Sequence, residues 1–212
     1  MPKPAAQDEA RITTVAIGFR VKSGWATAVL LAGPASAPTA LDRRRVELSD
    51  PKMPMSCQPY HAGIGHAAAS GAVVARLIRI VARCAATSFD SLLRDQASAG
   101  RRVRGIGIVV GSTVDPASIA NPHIRAHAAE GQLFRRVLER AARRHRLPAT
   151  VVRERELYAT VGQALGHPPA RVRSVVALVG RHLGAPWGAD EKAAAAAAWL
   201  ALGRIAATER GT

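Results

Sequence analysis

A chain of 212 residues is long enough to close one domain around a full core. Hydrophobic residues make up 48% of it and aromatics only 4%, so the core must be aliphatic, and single-strand readout on an aromatic platform is disfavoured. The formal net charge of +15 comes almost wholly from arginine and attracts polyanions, which favours nucleic acid or an acidic partner; an Ala/Arg-rich composition is the bland alternative.

The first residues, MPKPAAQDEA, lack the apolar centre of a signal peptide. A disordered tail is expected over 1–11, followed by a single domain over 12–209. The stretch that organises this domain is TTVAIGFRVKSGWATAVLL, Thr13 to Leu31. Val15, Ile17 and Phe19 alternate, Arg20 to Gly24 turns the chain, and Trp25 to Leu31 returns, which predicts a central hairpin. Gly33 to Pro38 is a loop rich in breakers. Leu41 to Leu48 has room for a third strand, its charges suiting a sheet edge. Ser49 to His61 carries three prolines and is expected to be irregular. A long polar-aromatic loop of this kind is a functional candidate.

Gly63 to Asp95 reads as a long helix, with a possible break at Thr87-Ser88. Val73, Val74, Leu77, Ile78 and Val81 form its apolar stripe, and Arg76, Arg79 and Arg83 its opposite side. GIGIVVG, Gly105 to Gly111, predicts a strand buried on both faces, as parallel strands are. Ser112 to Pro122 leaves the C-terminal end of that strand, where open α/β sheets place their ligands. His123 to Arg146 is the next helix. It is expected to hide Ile124, Ala128, Phe134, Val137, Leu138 and Ala141, and to expose Arg136, Arg140, Arg143 and Arg144 on one face. Ala149 to Arg153 is a fifth strand. Helices follow at Glu154 to Leu165, Ala170 to Leu183 and Asp190 to Ala207. The alanine run Ala193 to Ala198 would let the last of them pack close to the sheet. Cys57 and Cys84 make no metal-ligand spacing or disulfide framework, and a reducing cytoplasm is the expected setting. No uncharged apolar run approaches about 18 residues, so no membrane span is expected.

Three strands joined by hairpins, then alternating helices and strands, imply a mixed sheet with helices on its faces. This order resembles the ribonuclease H-like fold, the group that includes RuvC-type Holliday-junction resolvases. The C-terminal segment VGQALGHPPARVRSVVALVGRHLGAPWGADEKAAAAAAWLALG and the first hairpin, IGFRVKSGWATAVLL, carry the likeness. The expected architecture is therefore an α/β, ribonuclease H-like, five-stranded mixed sheet: three antiparallel strands, then two parallel, with helices on both faces.

The resemblance implies cleavage of nucleic acid by two metal ions held between convergent carboxylates. The first-strand acid position falls at Phe19 or Arg20, and the fourth-strand position near Val110 or Gly111. Of the C-terminal pair, Asp190 matches and Ala193 does not. Glu191 is a neighbouring acid, and Asp115 is placed to swing in from its loop. Arg20 and Lys22 put positive charge where a metal is normally held. No cofactor is expected, Mg²⁺ entering only if Asp190, Glu191 and Asp115, aided by His123 or His61, form a divergent nuclease or phosphate-handling hydrolase.

Each remaining constellation has a structural counterpart. Asp190 and Glu191 also offset a helix dipole. His123, His127 and Glu130 share a helix face, but three ligands two turns apart rarely close on one ion, so no metal site is assigned. A polar pocket of these residues with Asn121 and Arg125 fits better. Tyr60 and His61 with Asp50 offer an acid/base pair, or merely loop packing. Arg136, Arg140, Arg143 and Arg144, with Arg20 and Lys22, are the candidate phosphate contacts. The function expected is a ribonuclease H-like domain without a standard two-metal site, in a nucleic-acid-associated or protein-interaction role, with a homodimer as a further possible assembly.

Overall fold

The computed structural model describes residues 12–63 and 71–210. The expected N-terminal tail lies outside them, as do residues 64–70 of the expected long helix. Five strands, β1 (Thr13–Val21), β2 (Trp25–Ala32), β3 (Thr39–Glu47), β4 (Arg101–Val110) and β5 (Ala149–Arg153), form one sheet in the order β3-β2-β1-β4-β5. β1, β2 and β3 pair antiparallel, while β4 runs parallel to β1 and β5 parallel to β4. The ribonuclease H-like mixed sheet is thus present, with the first hairpin at its centre and β3 at its edge.

The hairpin turns on Gly24, whose φ of +84° suits glycine and whose missing Cβ leaves room for Ser49 and Cys57. β4 starts four residues earlier than its apolar run, because Thr13 to Val15 of β1 pair with Arg101 to Val103. Backbone pairing continues the strand through a charged stretch that hydropathy excludes.

Among the described residues, five α-helices cover both faces: α1 (Gly71–Ser98), α2 (Pro122–Arg144), α3 (Leu157–Leu165), α4 (Pro169–Leu178) and α5 (Ala189–Arg210). α1 and α2 cover one face, burying Val15, Ile17 and Phe19 from β1 with Phe89 and Phe134. α3, α4 and α5 cover the other, against Ala16, Val29, Leu31 and Val109. Among the described residues, no helix is long and apolar enough to cross a membrane.

Several local expectations change. α1 runs unbroken through Thr87-Ser88, and its buried stripe is Leu77, Ile80, Val81, Ala85, Phe89 and Leu92, with Val73 exposed. The stripe is rotated because the helix packs on the sheet further along than its first apolar residues. Ile124, expected inside, is exposed, since the first turn of α2 overhangs the sheet end. α4 stops at Leu178, and a 3₁₀ turn at Arg181–Leu183 follows. The Ser49 to His61 loop is not wholly irregular. Pro54 opens one 3₁₀ turn (Pro54–Cys57) and a second spans His61–Gly63.

Candidate functional site

β1 and β4 are parallel neighbours, so their C-terminal ends open on the same side of the sheet. A cleft of about 530 Å³ lies there, lined among others by Arg20, Lys22, Val110, Gly111, His127 and Arg135. This is where open α/β sheets place ligands.

The alternation of β1 decides what its tip presents. Phe19 points into the α1/α2 core, where its ring stacks on Phe89 with centroids 6.0 Å apart. Arg20, one residue on, falls on the opposite face. Its guanidinium Nη2 donates to Glu154 Oε2 at 2.5 Å and Nη1 to the Val21 carbonyl at 2.8 Å. Nε lies 3.9 Å from Asp190 Oδ1 and makes no hydrogen bond. Lys22 Nζ closes on the same Asp190 oxygen at 2.9 Å. Asp190 comes from the first turn of α5 and Glu154 from the residue after β5.

Two cations and two carboxylates therefore neutralise each other where the resemblance expects acids to hold metals. Glu154 is a member the sequence reading missed; its only signal is its position at the end of a strand parallel to β4. The residues do not fit a pair of Mg²⁺ ions. The Arg20 side chain is only 9% exposed and fills the space between the acids. A hard cation needs several free oxygen ligands, whereas both carboxylates here already carry a cation.

The other expected acids hold local structure. Glu191 Oε2 accepts from the Gly188 backbone N–H at 2.8 Å, a capping contact at the start of α5. Asp115 Oδ1 accepts from Ala117 N–H at 3.1 Å and caps the 3₁₀ turn Pro116–Ser118, instead of swinging toward β1. Asp50 Oδ1 accepts from Lys52 N–H at 2.9 Å within its own loop, so it does not pair with His61. Burial raises the Tyr60 phenol above its ordinary pKa, Glu130 adding to the rise and Arg136 opposing it, which keeps it protonated near neutrality.

The expected polar pocket splits. Asn121 caps α2 through His123 and Ile124 N–H, and Arg125 braces the preceding loop through the Ile119 and Ala120 carbonyls. His127 and Glu130 are linked only through His61, which joins His123 and His127 on one side and Glu130 on the other. His123 and His127 are one turn apart on α2, their Nε2 atoms 3.1 Å from each other. His61 reaches across from the loop after β3, and the three ring centroids lie 4.2–4.8 Å apart. Behind them Glu130, fully buried, accepts from His61 Nδ1 at 2.8 Å and from its backbone N–H at 3.3 Å.

Along the rest of α2, Arg136, Arg140 and Arg143 are exposed and form no salt bridge with a described residue. Arg144 differs from the expectation for its face: it is paired with Asp90, whose carboxylate His145 also contacts at 2.7 Å.

No protein-family model matches the chain, and no curated protein matches it in sequence. Solved structures do. Thermus thermophilus RuvC superposes with a TM-score of 0.51 at 16% identity, covering 93% of this chain and 97% of that one. The same enzyme in complex with Holliday junction substrate gives 0.51 at 14% identity, covering 94% and 97%. The yeast mitochondrial Holliday junction resolvase Ydc2 gives 0.49 at 10% identity, covering 96% and 85%. The likeness shows the architecture: the chain has a ribonuclease H-like α/β fold.

Proposed function

We propose that this protein binds nucleic acid through its phosphates and does not cut it by two-metal chemistry. The observation that carries the reading is the Arg20–Glu154 and Lys22–Asp190 pairing at the tip of the central hairpin. Cations held at that point cannot neutralise the attacking and leaving oxygens of a phosphodiester as metals do, since they are already spent on protein carboxylates. They do border a cleft that Arg135 also lines, and α2, whose N-terminal half walls that cleft, carries Arg136, Arg140 and Arg143 exposed further along its length. A net charge of +15 supplies the long-range attraction. One of the similar structures is bound to Holliday junction substrate, so branched DNA is the natural probe.

Filter binding of a four-way DNA junction, a plain duplex and an acidic control protein across a salt series tests this. The expected result is DNA binding that weakens with salt, by a log–log slope of about 0.9 per phosphate neutralised on a duplex. Affinity for DNA no better than for the acidic control overturns it. Incubating the junction with Mg²⁺ tests the second half: no cleavage is expected. Cleavage that disappears in Asp190→Asn would make the protein a divergent nuclease instead.

A further inference from the structure

We propose that His61, His123 and His127 form a mononuclear zinc site, with Glu130 as the positioning residue behind it. This inference is independent of nucleic-acid binding, and none of its residues pairs with Arg20 or Lys22.

The chain builds the site from two directions. α2 supplies His123 and His127 at a spacing of four, which puts two imidazoles on one face, one turn apart. The loop after β3 supplies the third ring from His61. One ligating nitrogen from each residue lies within 4.8 Å of the other two, the one such grouping of three ligand residues among the described residues. Zinc–imidazole bonds of about 2.05 Å in a tetrahedron set nitrogens about 3.3 Å apart. The His123–His127 pair, at 3.1 Å, already has that separation, and side-chain rotation brings in His61.

Two buried side-chain atoms of this cluster lack hydrogen-bond partners. His61 donates Nδ1–H to Glu130 Oε1, which leaves Nε2 as an unprotonated acceptor; that nitrogen is buried and makes no hydrogen bond. Glu130 Oε2 is likewise buried and unpartnered. A buried carboxylate that fixes the tautomer and ring plane of a histidine is the usual support of a metal ligand. Without an ion, two of the three ring pairs stand edge to face and the buried His61 Nε2 stays unsatisfied, which costs stability.

Three neutral nitrogens suit zinc over magnesium or calcium, which take oxygen ligands. The set leaves a fourth position. His123 and His127 are exposed, so that position opens to solvent, and His127 also borders the cleft that holds Arg20 and Lys22. Water or a phosphate oxygen completes the tetrahedron.

The test uses the untagged full chain, stripped with chelator and titrated with Co²⁺ alone, then with Zn²⁺. Expected are visible d–d bands of four-coordinate intensity, saturating at a single ion per chain and erased by Zn²⁺. His61→Ala and His123→Ala remove the bands. Glu130→Gln keeps their shape and weakens Zn²⁺ affinity by about 10–100-fold, the effect of losing an outer-shell partner. His145→Ala, on a histidine outside the cluster, changes nothing. Because His123 is exposed, its substitution leaves the apo-protein's melting temperature unchanged, and Zn²⁺ raises that temperature in the parent chain but not in His123→Ala. Weak six-coordinate bands that are identical in the parent chain and His123→Ala overturn the proposal, as does a Zn²⁺ stabilisation that survives His123→Ala.

Discussion

The decisive residue is Arg20, because a guanidinium is charged at every accessible pH and cannot yield its place by losing a proton. It is held by Glu154 and faces Asp190, so it converts what would be acid–acid repulsion into a neutral cluster. Arg20→Asp would gather three carboxylates where two now share two cations, and should create a divalent-ion site that the parent chain lacks. The expected outcome is a melting temperature lowered in chelator and recovered with Mg²⁺ or Mn²⁺, the ion stabilising the fold by about 2.7 kcal/mol at a hundredfold excess over Kd. An equal response to the ions in the parent chain would mean that Arg20 does not displace metal. A second residue-scale prediction concerns Asp90. Its hydrogen bonds from Arg144, and then from His145, hold its carboxyl below the ordinary value. A depressed carboxylate stabilises the fold fully above its unfolded pKa, about 3.9, and loses that contribution as pH falls toward the lower folded value. Asp90→Asn should therefore cost stability at neutral pH, no more than about 1 kcal/mol for so exposed a pair. In urea titrations that difference should vanish in strong acid.

At the scale of elements, the closeness of α5 to the sheet is what the small residues are for. Gly18 and Gly107 are direct neighbours across the β1–β4 pair, and Ala193 to Ala198 above them are all but inaccessible to solvent. A Cβ on Gly107 would stand 2.2 Å from the Ala197 carbonyl oxygen, whereas one on Gly105 would meet Ile205 at an ordinary 3.5 Å. Gly107→Ala should destabilise by about 1–3 kcal/mol through overpacking, and Gly105→Ala by much less, as urea unfolding will report; equal costs would mean that the approach is not tight. The alanine run was readable in the sequence as a close-packing face, and so were all five strands and the central hairpin. Alternation and β-branching carry that information locally. The β4 start was not readable, because its Arg101-Arg102-Val103-Arg104 stretch is a strand only by pairing with β1. The functional groupings were the least legible. His61 meets Glu130 across 69 residues, and Arg20 meets Glu154 across 134. No spacing rule spans such separations, so the sequence offers Glu130 only as a member of a polar pocket on α2, and Glu154 as a member of no site. The loop acids Asp50 and Asp115 misled for the opposite reason: their short-range capping bonds look the same in a sequence as a free carboxylate.

Across the whole molecule, acids are consumed close to home. Asp42 and Asp95 are taken by Arg44, Glu47 by Arg45, Glu156 by Arg153, and Asp190 by Lys22. These pairings cancel charge locally, and the excess of +15 is carried by cations left without an acid. Arg136, Arg140 and Arg143, which meet no acid among the described residues, lie on one exposed face of a helix whose N-terminal end borders the cleft. Arg144 does not join them, since Asp90 claims it. This sorts the arginines of α2 by consequence. Arg136, Arg140 and Arg143 replaced together by Gln should reduce the salt slope of duplex binding by about 0.9 for each phosphate that they no longer neutralise. The melting temperature should stay put, because exposed charges away from partners contribute little to folding. Arg144→Gln should do the reverse, lowering stability with Asp90 left half-satisfied while the salt slope stays unchanged. A compositional surplus, spread without regard to function, would instead make the reduction depend only on how many charges are removed. An equal number of arginines replaced at Arg76, Arg79 and Arg83, on the exposed side of α1, would then reduce the slope as much. Filter binding of the two triple variants at matched ionic strength separates a dedicated phosphate face from a uniformly basic shell.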